Sequence, residues 1–188
     1  MATQAMFARA PKEVWRWYLY RFGVCRGAEA NGGHAALVEL EQALGDDFWL
    51  LTQNVDGLHL RAGNTAARTF EVHGNIDYRR CTERCTDELH PLPERFHGWP
   101  KERELDDAGL AALNCPKCGA MGRPHVLWFD EYYEEGLYRF KSGLRGVSES
   151  NLLIYIGCSG AANLPLMAAR EASYAGAAIV DINAILSA

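Results

Sequence analysis

Two polar runs hold the residues best suited to chemistry. Thr52-Gln53-Asn54-Val55-Asp56-Gly57-Leu58-His59 follows Phe48-Trp49-Leu50-Leu51, and Glu71-Val72-His73-Gly74-Asn75 follows Arg68-Thr69-Phe70. His73 is the candidate general base, because a neutral imidazole near pH 7 can accept a proton in a transition state. Gln53 and Asn54 supply amides that both donate and accept hydrogen bonds. Asp56 can accept from a carboxamide or hold a water. Such groups just beyond short apolar segments are what an α/β fold presents at the carboxyl ends of its strands. By itself the cluster indicates a polar site in an α/β cleft.

A second set of residues suits a metal. Four of the six cysteines fall in two close pairs, Cys81/Cys85 and Cys115/Cys118, while Cys25 and Cys158 stand alone. Two thiolates in a turn can reach one ion, and two such turns make a closed tetrahedral four-thiolate site for zinc. A site with no open position does no chemistry; it holds together a segment too small for its own core. The first pair is C-x3-C, where C-x2-C is commoner. With four thiols at hand, His90 and His97 read as surface residues.

The elements that must position these groups follow from periodicity. Pro11 to Phe22 reads as a helix opened by proline and interrupted by Gly23. His34 to Leu44 reads as a second, with Leu37, Leu40 and Leu44 on one face and Gly45 as its stop. Phe48 to Leu51 is an expected strand, and Val55 to Arg61 a short helix or turn. From Ile76 to about Gly122 charges, cysteines and prolines replace the apolar pattern, which marks a small inserted module. Pro124 to Trp128 reads as a strand returning to the main domain, and Tyr133 to Val147 as a helix. Leu152 to Ile156 reads as a buried strand, Gly157-Cys158-Ser159-Gly160 as a tight turn, Leu164 to Tyr174 as a helix and Ala178 to Ile182 as a strand. Together these last elements have the length of one βαβ unit.

The chain has 188 residues, 48% of them hydrophobic and 23% charged, and a net charge of -5. That suits one globular domain carrying a small insert. The acidic balance argues against a sequence-blind nucleic-acid binder. No apolar run approaches the length needed to cross a bilayer, and the first residues lack a secretory pattern, so the expected location is the cytoplasm.

In its two polar runs the chain resembles the sirtuin family, the NAD-dependent protein lysine deacylases, over about Thr3 to Asn183. The resemblance implies an α/β fold with a Rossmann-like parallel sheet, made of residues 1–75 and 123–188, and a zinc-binding small domain over 76–122. It implies that Gln53, Asn54 and Asp56 line a ribose and nicotinamide pocket and that His73 is catalytic. In the family this histidine deprotonates a ribose hydroxyl after an acyl-lysine oxygen has attacked the anomeric carbon of NAD. Nicotinamide leaves, and the acyl group ends on ADP-ribose. Gly157 and Ser159 match the family's Gly-Thr-Ser turn, with Cys158 where threonine is usual, and Asn183 matches a cofactor-contacting asparagine. Sirtuins carry their zinc module where the cysteine pairs lie here.

Arg123 to Glu131 resembles the segment that receives the substrate peptide as an added strand, with Val126, Phe129 and Glu131 as candidate contacts and His125 as a packing residue. Tyr18 and Arg21, at i and i+3, share a helix face. They resemble the Tyr-x-x-Arg pair of the desuccinylase-type (class III) sirtuins, and Asn31-Gly32-Gly33-His34 stands where those have Asn-Ala-Gly-His. A phenol and a guanidinium can bind a carboxylate, so removal of succinyl or malonyl as well as acetyl groups is implied. The family's Gly-Ala-Gly-Ile-Ser turn, its first strand and its closing turn and helix have no counterpart in these residues. An incomplete sheet, partial NAD affinity and weak or no turnover are therefore the expectation for this polypeptide alone. Two other readings stay open: an inactive zinc-containing interaction module, and an NAD-dependent ADP-ribosyltransferase.

Overall fold

The structure is a computed structural model and describes residues 1–158 and 163–184. The chain divides into two compact units, Met1–Tyr138 and Arg139–Ala188. The division does not fall where the composition changes, near residues 76 and 122. The reason is a shared core. α1 (Gln4–Arg9) leads into α2 (Pro11–Gly27), whose Val14, Trp15, Tyr18, Leu19 and Phe22 form one buried face. That face packs in a single cluster with Phe96, Trp99, Leu105 and Leu113 from the cysteine-bearing segment. Trp15 Nε1 also donates to the Gly122 carbonyl at 2.9 Å.

Gly23 does not end α2, which runs five residues past Phe22 to Gly27. The backbone of Gly98 and Trp99 lies against the helix at Gly23, where a Cβ would meet the Trp99 nitrogen at 3.4 Å, an ordinary contact distance. α3 (Gly32–Leu44) opens on Asn31, whose side chain accepts from the Gly33 and His34 nitrogens. Its expected leucine face is only partly used: Leu40 and Leu44 are exposed, and Glu41 is the buried residue. The Glu41 carboxylate accepts from Asn64 Nδ2 at 2.7 Å and from the Thr65 N–H and hydroxyl. It thereby fixes the chain ahead of the second strand.

β1 (Leu50–Thr52) is followed by α4 (Leu58–Ala62) and by β2 (Thr69–Glu71), which pairs with β1 in parallel, Leu50 opposite Thr69 and Thr52 opposite Glu71. β3 (Gly74–Cys81) then pairs antiparallel with β4 (His90–Pro91) on one side. α5 (Asp107–Ala111) precedes β5 (Gly122–Val126), which pairs antiparallel with β3 on the other side. The strand expected from Pro124 thus begins two residues earlier. His90 is buried on β4 rather than at the surface, because its backbone is opposite Arg79 in the sheet. His97 is exposed and its ring lies 5.2 Å from Phe22. α6 (Glu135–Tyr138) closes the first unit.

The second unit holds α7 (Phe140–Ser148), β6 (Leu152–Ile156), α8 (Asn163–Ala175) and β7 (Ala178–Ile182). The helix expected over Tyr133 to Val147 is broken, since Arg139 at φ 51° lies between α6 and α7. β6 and β7 are parallel and in register, Leu152 opposite Ala178 through Ile156 opposite Ile182, which is the expected βαβ unit. β6 is not the buried strand expected. Leu152, Ile154 and Ile156 are exposed while Leu153 and Tyr155 are half-buried. α8 covers the second set, and the Tyr155 hydroxyl donates to the Pro165 carbonyl at 2.6 Å.

Candidate active site and metal centre

The two polar runs meet because β1 and β2 are parallel neighbours and their carboxyl ends lie side by side. Val72 N–H donates to the Thr52 carbonyl at 3.1 Å, and Ile76 N–H donates to the Val55 carbonyl at 2.8 Å. The second bond ties the first run to the start of β3. His73 sits between these bonds. Its own carbonyl accepts from Leu127 N–H at 2.9 Å. Gly74 has φ +84°, and a Cβ there would lie 2.2 Å from the His125 carbonyl oxygen. Only glycine permits this approach of β3 to β5, and the approach fixes the residue before it.

The His73 ring is held at both nitrogens. Nδ1 is 3.0 Å from the Gln53 carbonyl oxygen, and Nε2 is 3.0 Å from the Tyr133 hydroxyl. A carbonyl oxygen can only accept, so Nδ1 carries the hydrogen in the neutral ring. Nε2 then presents its lone pair and accepts from Tyr133. Burial holds the pKa of His73 below its ordinary 6.5, against the opposing pull of the Gln53 carbonyl. The ring is therefore neutral at pH 7, with a defined tautomer and a basic nitrogen.

The other residues expected at this site take unequal places. Gln53 is half-buried and contributes its carbonyl to His73; Asn54 is exposed, with its N–H given to Thr52 Oγ1 at 3.1 Å. Asp56 accepts from Leu58 N–H at 2.9 Å and so opens α4. Glu71 is the last residue of β2. It accepts from Asn75 Nδ2 at 2.8 Å, and burial pushes its carboxyl up to about 7. Asn75 Oδ1 accepts from Asp77 N–H at 2.8 Å, and Asp77 faces Arg26 and Arg61, each at 3.4 Å. This network backs the loop after β1. Tyr133, the partner of Nε2, carries no motif that sequence reasoning could use.

Along the expected peptide segment, Val126 is buried at the end of β5 and Phe129 is 94% exposed. Phe129 N–H donates to the Ala2 carbonyl at 3.1 Å. A strand added at that position would compete with this bond. Glu131 is turned inward: it takes both Arg123 terminal nitrogens and the Trp128 N–H at 2.9 Å, with Arg80 at 3.7 Å. His125 is buried against Tyr138, with its pKa pushed down to about 3 by desolvation and then by Arg80 and Arg123. This matches a packing residue. Tyr18 is 2% exposed, and its hydroxyl accepts from Trp128 Nε1 at 2.8 Å. Arg21 is exposed with its guanidinium 4.8 Å from the Trp17 ring. The two share α2 but are engaged with different partners.

In the second unit Gly157 follows β6 at φ +65°, and its N–H donates to the Ile182 carbonyl at 3.0 Å. Asn183 Nδ2 donates to the Cys158 carbonyl at 3.1 Å and to Asp181, tying that turn to the end of β7. Ser159 lies outside the described residues.

The four cysteines converge. Their sulfurs all lie within 4.8 Å of one another, with Cys81 to Cys118 at 3.5 Å and Cys85 to Cys115 at 3.6 Å. Zn–S bonds of about 2.3 Å in a tetrahedron place sulfurs roughly 3.8 Å apart, so the set fits zinc. None of the four is in a disulfide. Two turns build the site. Arg84 at φ 50° folds the first and Gly119 at φ +75° the second, where Cys115 N–H donates to the Ala120 carbonyl at 2.7 Å. The backbone N–H groups of Cys118 and Lys117 lower the pKa of the Cys115 thiol, while the neighbouring thiols raise that of Cys85.

A family model described as the Sir2 family matches residues 1–163. An NAD-dependent protein deacylase of Leptospira interrogans is 35% identical over 183 residues, covering 97% of this chain and 68% of that protein. One of Thermus thermophilus is 38% identical over 185 residues, covering 97% and 65%. A solved structure of a Sir2 homologue in complex with NAD superposes with a TM-score of 0.77 at 32% identity, covering 99% of this chain and 66% of that one. The chain belongs to the Sir2, or sirtuin, family. Its fold is the Rossmann-like α/β fold of that family, and it spans about two thirds of the length of these relatives.

Proposed function

We propose that the chain is an NAD-dependent protein lysine deacylase that yields nicotinamide and O-acyl-ADP-ribose. One observation carries the reading: His73 is a neutral imidazole whose Nδ1 is tied to the Gln53 carbonyl, leaving Nε2 as the proton acceptor. Nε2 already takes a hydroxyl at 3.0 Å, so a sugar hydroxyl fits the same position. Bound NAD supplies an anomeric carbon with nicotinamide as leaving group. His73 takes the proton from the ribose hydroxyl at Nε2, and the Gln53 carbonyl holds the resulting imidazolium at Nδ1. Gln53, Asn54 and Asp56 are the proposed cofactor contacts of the first unit. Gly157, Ser159 and Asn183 are those proposed for the second.

The metal centre of Cys81, Cys85, Cys115 and Cys118 holds the 76–122 segment, which is read as a small structural domain. The peptide is taken along Val126 to Glu131, with its acyl-lysine chain directed at the His73 site. For the acyl group, the likeness of Tyr18 and Arg21 to the desuccinylase pair supports succinyl or malonyl removal, and Tyr18 would have to release Trp128 to take part. A higher kcat/KM on succinyl-lysine than on acetyl-lysine peptide is the expected result, and the reverse ends that part of the reading. Among the described residues no helix is long and apolar enough to cross a membrane, and a cytoplasmic location is proposed.

The test is to follow both products. Incubation with NAD and acylated peptide should release nicotinamide and deacylated peptide one for one, with the acyl group recovered on ADP-ribose. ADP-ribose attached to protein with the acyl group still on lysine would replace deacylation by ADP-ribosyl transfer.

A further inference from the structure

The atom that the proposed reaction needs is already occupied. The Tyr133 hydroxyl lies 3.0 Å from His73 Nε2, and the two rings are near parallel, 21° apart, with centroids separated by 5.9 Å. Both nitrogens of the imidazole are thus satisfied before any ligand arrives. We propose that Tyr133 is a displaceable plug: its hydroxyl holds the Nε2 lone pair in the free protein, and a ligand hydroxyl must take its place. The proposal rests on the reading of His73 as the base toward a sugar hydroxyl, and it adds a positioning and gating residue to that site.

The surroundings of Tyr133 suit a group that stays and can also leave. On its amino side the chain is anchored, because Glu131 is gripped by Arg123 and by the Trp128 N–H. On its carboxyl side α6 begins at Glu135, and the buried Tyr138 stacks on His125. Between these anchors Tyr133 is half-buried and lines a cleft of about 470 Å³, shared with Asp130, Tyr132, Glu134 and Arg80. That space adjoins the ring, and the adjacent Tyr132 is 93% exposed.

The Tyr133 phenol is a donor here. Burial pushes its pKa above the usual 10, so it stays protonated at neutral pH and lends its hydrogen to Nε2. A group in this position imitates the alcohol that the base is to deprotonate. It keeps the neutral tautomer in place and opposes binding by the strength of one hydrogen bond. A net hydrogen bond in a protein corresponds to roughly a two- to tenfold change in an equilibrium constant.

The experiment compares the full chain with Tyr133→Phe, which keeps the ring and removes the hydroxyl. Two measurements are made, neither of them turnover. Above the titration of His73, nitrogen NMR of the free protein should show Nε2 as a hydrogen-bonded acceptor in the parent. In Tyr133→Phe it should move toward the value of an unbonded lone pair, with His73→Ala assigning the resonance. Calorimetry with NAD should show roughly two- to tenfold tighter binding by Tyr133→Phe. An Nε2 resonance unchanged by the substitution overturns the plug, as does equal or weaker NAD binding. If neither form bound NAD, the cofactor reading and the displacement would both fall, and a moved Nε2 resonance would still mark the hydrogen bond as real. The two failures are thereby distinguishable.

Discussion

β3 separates two centres built on opposite logic. His73 stands immediately before its first residue, Gly74, and Cys81 is its last. An eight-residue strand spans about 24 Å between its end residues, so the centres are far apart and chemically independent. The thiol centre is made by two local turns, and each supplies a pair of ligands close in sequence. The imidazole centre is assembled from afar: Gln53 is 20 residues from His73, and Tyr133 is 60. A structural centre can be nearly self-contained, whereas a reactive one is defined by what the fold brings to it.

That contrast can be broken most severely at the cysteines. Stripping metal with a chelator, or Cys115→Ser, should release the segment that shares its core with α2 and unfold the first unit. Structural zinc in finger peptides contributes about 10–16 kcal/mol, which is comparable to the whole ordinary margin of roughly 5–15 kcal/mol. Metal analysis with thermal unfolding checks this; unchanged unfolding in the chelated protein would contradict it.

A smaller loss is expected at Glu131. Its removal leaves Arg123 and Arg80 buried with their shared counter-ion gone. Glu131→Ala should cost about 3–5 kcal/mol, measured by urea unfolding. A stable variant with only a raised peptide KM would instead make Glu131 a substrate contact. Gly74→Ala ranks next. It sets a methyl against the His125 carbonyl at positive φ and should cost about 2–3 kcal/mol while displacing His73. Its signature is loss of activity beyond the loss of folded protein.

Glu71 gives the mildest effect and a pH dependence. Burial raises its folded pKa to about 7, above the ordinary 4.5, so the fold favours the protonated form. Its contribution is fully present below about pH 4.5 and is lost as pH rises through about 7. Glu71→Gln should therefore stabilise the protein by about 1 kcal/mol at pH 8 and change little at pH 4.5. Thermal unfolding across that range tests the sign.

How far these features could be read from the chain depends on how local they are. β7 matches its expected bounds, and the cysteine pairs meet as their spacing implied. Local pattern failed where a polar group does the packing: the leucine stripe of α3 is half bare because Glu41 is turned inward to grip Asn64 and Thr65. It failed again at β6, where an apolar run looks the same whether one face or both are covered. Gly23 resembled a stop, but α2 continues through it to Gly27. That the two polar runs lie together was legible in the chain, but the tautomer of His73 was not. That depends on a backbone carbonyl and on a tyrosine whose proximity no local pattern encodes.

What matters most is that His73 Nε2 accepts the ribose-hydroxyl proton once the acyl-lysine oxygen has displaced nicotinamide. The measurement that reads this step is formation of deacylated peptide and O-acyl-ADP-ribose from NAD and acyl-lysine peptide, for the parent and for His73→Ala, as a function of pH. A positioned general base contributes about 10²- to 10⁴-fold, so the variant should lose that much with its folding and metal content unchanged. The parent should lose activity as pH falls through a pKa below 6.5, the direction burial imposes. A variant forming O-acyl-ADP-ribose at the parental rate, or a parent with no acid limb assignable to His73, would contradict the account.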